Sequence, residues 1–242
     1  MELDKLLTIV LPVKNEARNI LTFLRSVPPD IPLVVVDAGD DETSSIIKTI
    51  RTRRTVLLRD PGNIPRARHL GAQIASTPWL LFCDADIEFA DFYFHRISSS
   101  LLYSDMIYGS KLSRNQHQWY YRSFLLGQTI FDRIGIPAAS GSNLLVRRDV
   151  YFKIGGFDAG LPVNEDSEIA WRAQRMGYRV RFVKHLAVFS FDHRRLKMGA
   201  WNKHRHTLAR CFSLYFNRFT PEERLDDRGY WPIYEILDNK SN

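Results

Sequence analysis

Cysteine is scarce in this chain, with two in 242 residues. Cys83 lies inside an apolar run and Cys211 inside a helical pattern, where a free thiol is ordinarily buried. No disulfide framework is expected, and a reducing cytoplasm fits. Long apolar runs are missing too: none approaches the roughly 18 to 20 residues that a membrane span needs. The opening Met1-Glu2-Leu3-Asp4-Lys5 has no basic segment followed by a long apolar stretch, so no secretory signal is expected. Low-complexity tracts and internal repeats are absent. What is there is ordinary globular composition, 45% hydrophobic and 25% charged, enough for one large α/β domain or two small ones. The net charge of +7 suits nucleic acid, an anionic membrane surface or a phosphorylated substrate, and its sign does not choose among them.

The first half alternates between strand and helix signals. Leu6 to Val13 is a β-rich apolar run, followed by a segment with helical spacing at Ile20, Leu21, Leu24 and Val27, for which Asn15 is the expected cap. Leu33 to Val36 reads as a second buried strand, Thr43 to Arg51 as a helix, Thr55 to Leu58 as a short strand and Ile64 to Ala75 as a helix. Trp79 to Cys83 is a further apolar run. This alternation predicts a parallel, doubly wound sheet with helices on both faces. The second half is less regular. It offers a strand at Met106 to Gly109, an aromatic-rich amphipathic helix at Tyr120 to Ile134, and a strand at Leu144 to Val146 preceded by the small residues Ala138 to Ser142. A helix from Glu165 closes at Gly177, and a strand runs from Val180 to Phe189.

Two of the early strands stop at acid: Val36 gives onto Asp37, and Cys83 onto Asp84-Ala85-Asp86. The separation suits two crossover units, so both acids are expected at one rim of the sheet, where open α/β sheets bind ligands. An Asp-x-Asp pair there can hold a hard divalent cation that grips phosphates; a plain Asp-rich surface turn would look the same in isolation. Glu165-Asp166 opens a helix, where acids also serve the helix dipole. A carboxylate in that place can equally act as a general base.

Taken in order, Pro12-Val13-Lys14-Asn15-Glu16, Asp37, Pro65-Arg66-Ala67-Arg68-His69-Leu70-Gly71, Asp84-Ala85-Asp86 and Glu165-Asp166 resemble the family 2 nucleotide-sugar glycosyltransferases of the GT-A fold, over roughly residues 6 to 195. The resemblance implies a Rossmann-like, mostly parallel sheet joined to a mixed acceptor-side half. It also implies an inverting transfer from a nucleoside diphosphate sugar with Mg2+ or Mn2+ as cofactor. By position, Pro12, Val13 and Glu16 match the nucleoside pocket, Asp37 the acid that reads the base, and Arg68 an arginine near the nucleotide. Asp84, Ala85 and Asp86 match the segment that handles ribose and metal, with Asp86 the direct ligand and Asp84 beside it. Asp166 matches the catalytic base with Glu165 next to it, and Gly141, Ser142 and Asn143 the acceptor- and sugar-facing backbone. His193 is a further candidate metal ligand, against a solvated basic turn as the alternative. The chain departs from the family pattern at Ala38, where an acid is usual, and at His69, where asparagine is usual.

One GT-A domain is expected over 1–242, with a nucleotide-binding half at 1–110, an acceptor half at 111–197 and a C-terminal amphipathic helix and tail at 198–242. The donor is expected to be a UDP-sugar, with GDP-mannose second, and the acceptor a saccharide or a lipid-linked group. His204 and His206 point apart on a helix and make no metal site. The basic aromatic stretch Trp201 to Phe219 is read first as packing against the domain, and otherwise as a peripheral contact with an anionic membrane. Rival classes are a nucleotidyltransferase, which would want a glycine-rich phosphate loop where Pro12 to Glu16 has no glycine, and a non-catalytic basic module for nucleic acid. No nucleic-acid partner is expected.

Overall fold

The computed structural model describes residues 2–161, 164–191 and 215. A single helical turn, α1 (Leu3–Leu6), leads into β1 (Leu7–Val13). The first half then runs α2 (Ile20–Ser26), β2 (Leu33–Asp37), α3 (Thr43–Ile50), β3 (Thr55–Arg59), α4 (Ile64–Ile74) and β4 (Trp79–Phe82). After it come β5 (Ile87–Phe89), α5 (Tyr93–Leu101), β6 (Met106–Leu112), α6 (Gln118–Arg133), β7 (Leu144–Arg147), α7 (Arg148–Lys153), α8 (Glu165–Arg175) and β8 (Val180–Ser190). All eight strands join one sheet in the order β3-β2-β1-β4-β7-β6-β8-β5.

The apolar strands are continuous because both faces of the sheet are covered. In β1, Leu7, Ile9, Leu11 and Val13 enter one core with Phe23, Ile47 and Ile97 of the helices on that side. Val10 enters the opposite core with Ala72, Tyr151, Ile169 and Ala170. Trp79 and Leu81 of β4 likewise face the first core, Leu80 and Phe82 the second. Gly71 of α4 lies directly on Val10, where an added Cβ would run into the valine side chain, so the helix rides close to the sheet.

The four strands of the first half are parallel. Chain progress reverses between β1 and β4, which sets a switch point at their carboxyl ends. β7 is antiparallel to both β4 and β6, pairing Leu144 with Phe82 and with Tyr108. The segment entering β7 and the end of β6 therefore arrive at the same rim as the acids.

One expectation needs correction. Asn15 caps no helix: α2 starts at Ile20 after Asn19, and Asn15 sits at a φ of 54° with its Oδ1 accepting from Asp40 N at 2.9 Å. Its side chain had a distant loop to hold rather than its own helix. The stretch 87–101, to which no element was assigned from sequence, contains β5 and α5. The aromatic helix α6 buries only Tyr121 and Gln128 of its sixteen residues. The predicted stretch 201–219, and with it Cys211, lies outside the described residues apart from Tyr215. That residue packs its ring against Trp171 at 5.2 Å.

Candidate active site

The first group of candidate residues is held by two loops folded on one another. Asp37 ends β2 in register with Val13 and Arg59, and its carboxylate is buried at 1% exposure. Gly39 N donates to Asp37 Oδ1 at 2.7 Å, and the Ser44 hydroxyl bonds the other oxygen. Arg59 stands 3.9 Å away. Glu16 is also buried; its backbone N–H donates to Thr43 Oγ1 (2.9 Å), and its carboxylate accepts from Asn19 Nδ2 (2.5 Å). Ala17 N and Thr43 N both donate to Asp41, which ties the 37–44 loop to the turn after β1. Gly39 presses on Asn15, leaving no room for a Cβ. Pro12 is half-buried, whereas Val13 lies in the core, so only its backbone faces the rim. Ala38, the first departure, donates its N–H to Val13 O at 2.9 Å and continues the pairing of β2 with β1.

The acid end is organised by Arg68. This residue of α4 is 2% exposed; its Nη1 donates to Glu165 Oε1 at 2.5 Å and its Nη2 to Asp84 Oδ1 at 2.9 Å. The second oxygen of Asp84 accepts from Ser142 Oγ at 2.5 Å, and Lys111 Nζ donates to the same Ser142 Oγ at 2.8 Å, 4.0 Å from Asp84. Gly141 N donates to Asp166 Oδ2 at 2.7 Å. The backbone of Gly141 lies so near the Arg68 guanidinium that any side chain there would strike it. Residues from α4, the turn after β4, the entry to β7 and the head of α8 thus meet within one hydrogen-bonded cluster.

The remaining predicted residues are placed as follows. Asp86 is half-exposed, its backbone O accepting from Phe191 N at 3.2 Å. Among the described residues, no hydrogen bond or ion pair engages its carboxylate. Ala85 is packed in the core, so its side chain offers a ligand nothing. Asn143 is fully buried: it accepts from Tyr93 OH (2.6 Å) and donates to Leu186 O (2.9 Å), a clamp beneath the rim. His69 turns away from the acids, with Nδ1 3.2 Å from Tyr151 OH. His193 lies outside the described residues. Lys111 was missed by sequence reasoning; a lone lysine finishing an apolar strand carries no signal until the antiparallel pairing with β7 brings it here.

A model of the family described as Glycosyl transferase family 2 matches residues 8–155, which takes in β1 to β7 and Arg68, Asp84 and Asp86. The chain belongs to this family. As a family 2 glycosyltransferase it is 24% identical over 235 residues to the succinoglycan biosynthesis protein ExoA of Rhizobium meliloti, covering 88% of this chain and 71% of that one. Its fold is similar to S. aureus TarS, solved with UDP-GlcNAc, at a TM-score of 0.65 and 17% identity over 78% of this chain and 59% of the TarS chain. A mannosyltransferase from Pyrobaculum calidifontis, solved with GDP-Man and Mn2+, matches at a TM-score of 0.65 and 17% identity over 97% and 79% of the two chains. The fold is therefore GT-A, as the sequence predicted.

Three carboxylates, those of Asp84, Glu165 and Asp166, surround the one Arg68 guanidinium. Lys111 partly offsets Asp84, which leaves the negative charge of the buried Glu165 and Asp166 to be relieved by protons or by a further cation. Burial pushes Glu165 up to about 7, with Asp166 adding to the rise and Arg68 opposing it. Asp166 is also raised, by burial first, against the N–H of Gly141 and the charge of Arg68. An acid with a raised folded-state pKa binds more protons folded than unfolded, so its contribution to stability falls as pH climbs between the two values. The free glycosyltransferase should accordingly lose stability as pH rises from about 4.5 toward 7. Urea denaturation across that range checks this, and Glu165→Gln should flatten the slope. A slope unchanged in the variant would assign the effect elsewhere.

Proposed function

We propose that this glycosyltransferase is metal-dependent and inverting. It would move a sugar from a nucleoside diphosphate sugar, a UDP-sugar first and GDP-mannose second, to an acceptor that is a saccharide or is carried on a lipid. The observation that carries this reading is the convergence of Asp84, Glu165, Asp166 and Arg68 at the switch-point rim. The nucleotides bound by TarS and by the archaeal mannosyltransferase support a donor of that class.

Asp37 would accept from the base, while Glu16 keeps the pocket loop in place. Asp86 and Asp84 provide the hard oxygen donors that suit Mg2+ or Mn2+. Among the described residues no cluster of three or more acidic, His or Cys ligands stands ready to hold a metal. When bound, such a cation neutralises charge on the departing diphosphate. Lys111, held by Ser142, adds a positive charge on the same side.

Asp166, fixed by the N–H of Gly141, would take the acceptor hydroxyl proton as that oxygen bonds to the anomeric carbon. The bond from that carbon to the diphosphate breaks on the opposite face. One displacement inverts the configuration and needs no glycosyl-enzyme. Glu165, turned onto Arg68, positions rather than reacts. Residues 1–110 would form the nucleotide half and 111–197 the acceptor half. A cytoplasmic setting is supported by the buried free thiol of Cys83, and no helix among the described residues is long and apolar enough to cross a membrane.

Calorimetric titration with UDP and with GDP, each with Mn2+ and with EDTA, tests the donor site. One nucleotide should bind in Mn2+ only, and Asp86→Ala should weaken it by about tenfold or more, the loss of one charge-assisted contact. Equal binding with EDTA would remove the metal from the proposal, and binding of neither nucleotide by folded protein would remove the donor.

A further inference from the structure

Helix α6 shows an apolar stripe to solvent. Trp119, Leu126 and Ile130 are 51%, 60% and 49% exposed, and Ile134, just past the last turn, is 62% exposed. At 100° per residue these four fall within an arc of about 80°. Arg122 and Arg133, both exposed, border the stripe along one side. Asp132 lies around the back of the helix, where it accepts from Tyr108 OH at 3.5 Å. The opposite face is anchored by buried Tyr121 and by Gln128, whose Nε2 donates to Ala138 O at 2.9 Å.

The stripe also has a direction. Beyond α6 the chain turns through Gly135 at a φ of 77°. Trp171 Nε1 of α8 then holds Pro137 O at 2.6 Å. Seven residues after Ile134 comes Gly141, whose N–H holds Asp166. The C-terminal end of the exposed apolar face is therefore joined to the acid cluster by a short stretch of chain.

We propose that α6 is a membrane-docking face that seats the enzyme on an anionic bilayer, with Trp119, Leu126, Ile130 and Ile134 entering the headgroup boundary. A stripe of Trp, Leu and Ile edged by arginine is the pattern of a helix lying in the interface plane, and a chain of net charge +7 is drawn to an anionic leaflet. A second copy of the chain is the poorer occupant, because a twofold contact across the stripe would crowd the same arginines together. The purpose of the docking, presenting a lipid-borne acceptor beside Asp166, rests on the transferase reading; the docking itself does not.

The test is co-sedimentation of the full chain with vesicles of phosphatidylcholine, with and without phosphatidylglycerol, for wild type, Leu126→Glu/Ile130→Glu and Arg122→Gln/Arg133→Gln. Wild type should bind the anionic vesicles, and the Glu variant should bind about tenfold or more weakly, since two apolar side chains leave the interface. The Gln variant should lose the preference for anionic lipid. No vesicle binding by wild type overturns the proposal. So does a concentration-dependent dimer that the Glu variant dissolves, which would make the stripe an interface between copies. A Glu variant that melts several degrees lower yet keeps its vesicle binding also overturns it, because the stripe would then be covered by the chain's own residues. Mn2+-dependent nucleotide binding, measured on the same variants, separates failure of the docking from failure of the donor site.

Discussion

Asp166→Asn should lower turnover by about 10²- to 10⁴-fold, the range that a positioned general base supplies, and leave nucleotide affinity within a few-fold of wild type. The Asn carbonyl oxygen can still accept from Gly141 N, the 2.7 Å contact that orients Asp166, so the segment entering β7 should hold its place. What Asn lacks is a second acceptor oxygen, so Ser167 N loses its partner, and any capacity to take a proton from the acceptor hydroxyl. Both carboxylate oxygens of Asp166 already accept backbone N–H groups, from Gly141 and Ser167, yet each has a second lone pair for an acceptor proton. Burial raises Asp166 from its ordinary range, which brings its basicity closer to working pH. Single-turnover rates and calorimetric affinities on the same variant check the split. A drop below about tenfold would give the base role to another group, and a parallel loss of nucleotide affinity would mean that Asp166 supports the donor pocket.

The acids of this site were legible because each ends a strand or opens a helix. The run Trp79 to Phe82 is apolar at every position since alternate residues feed two cores. Its abrupt stop at Asp84 marks the rim without knowledge of any partner strand. The same logic picked out Asp37. Elements that exist only through long-range pairing were invisible. β5 is three residues long and is held by β8, some hundred residues away, and α5 follows Phe92, which has a φ of 62° and offers no capping side chain. Lys111 reaches the site only because β6 runs antiparallel to β7.

Residue type says little about where a side chain is spent. Asn143 was matched to acceptor- and sugar-facing backbone, and its side chain is buried in tertiary hydrogen bonds to Tyr93 and Leu186. Asn15 has the chemistry of a cap and spends it on the Asp40 loop. In α6 the helical period was correct, while the inward direction was not readable, because amphipathic spacing distinguishes two faces without saying which one meets the core.

Arg68 should be the residue whose loss costs most in stability. Arg68→Met removes the only cation hydrogen-bonded to both Glu165 and Asp84 among the described residues, and breaking a buried ion pair in this way typically costs about 3–5 kcal/mol. Asp84, with a side chain 30% exposed, should contribute less than Glu165, which water reaches poorly. The cost should depend on pH. Near pH 5 Glu165, already pushed up to about 7, can take a proton and shed its charge, whereas near pH 8 it has to stay ionised against Asp166 or the fold has to open. The variant should thus be markedly less stable at pH 8 than at pH 5.5 relative to wild type. Arg68→Lys should recover only part of the loss, since one ammonium does not reproduce a fork that spans two carboxylates. Urea unfolding at both pH values decides it: a Met variant within about 1 kcal/mol of wild type at pH 8 would show that the carboxylates do not depend on this guanidinium. The same geometry makes Gly141 a coupled position. A Cβ there meets the Arg68 guanidinium, so the backbone that holds the proposed base and the cation that balances its neighbours cannot be altered independently.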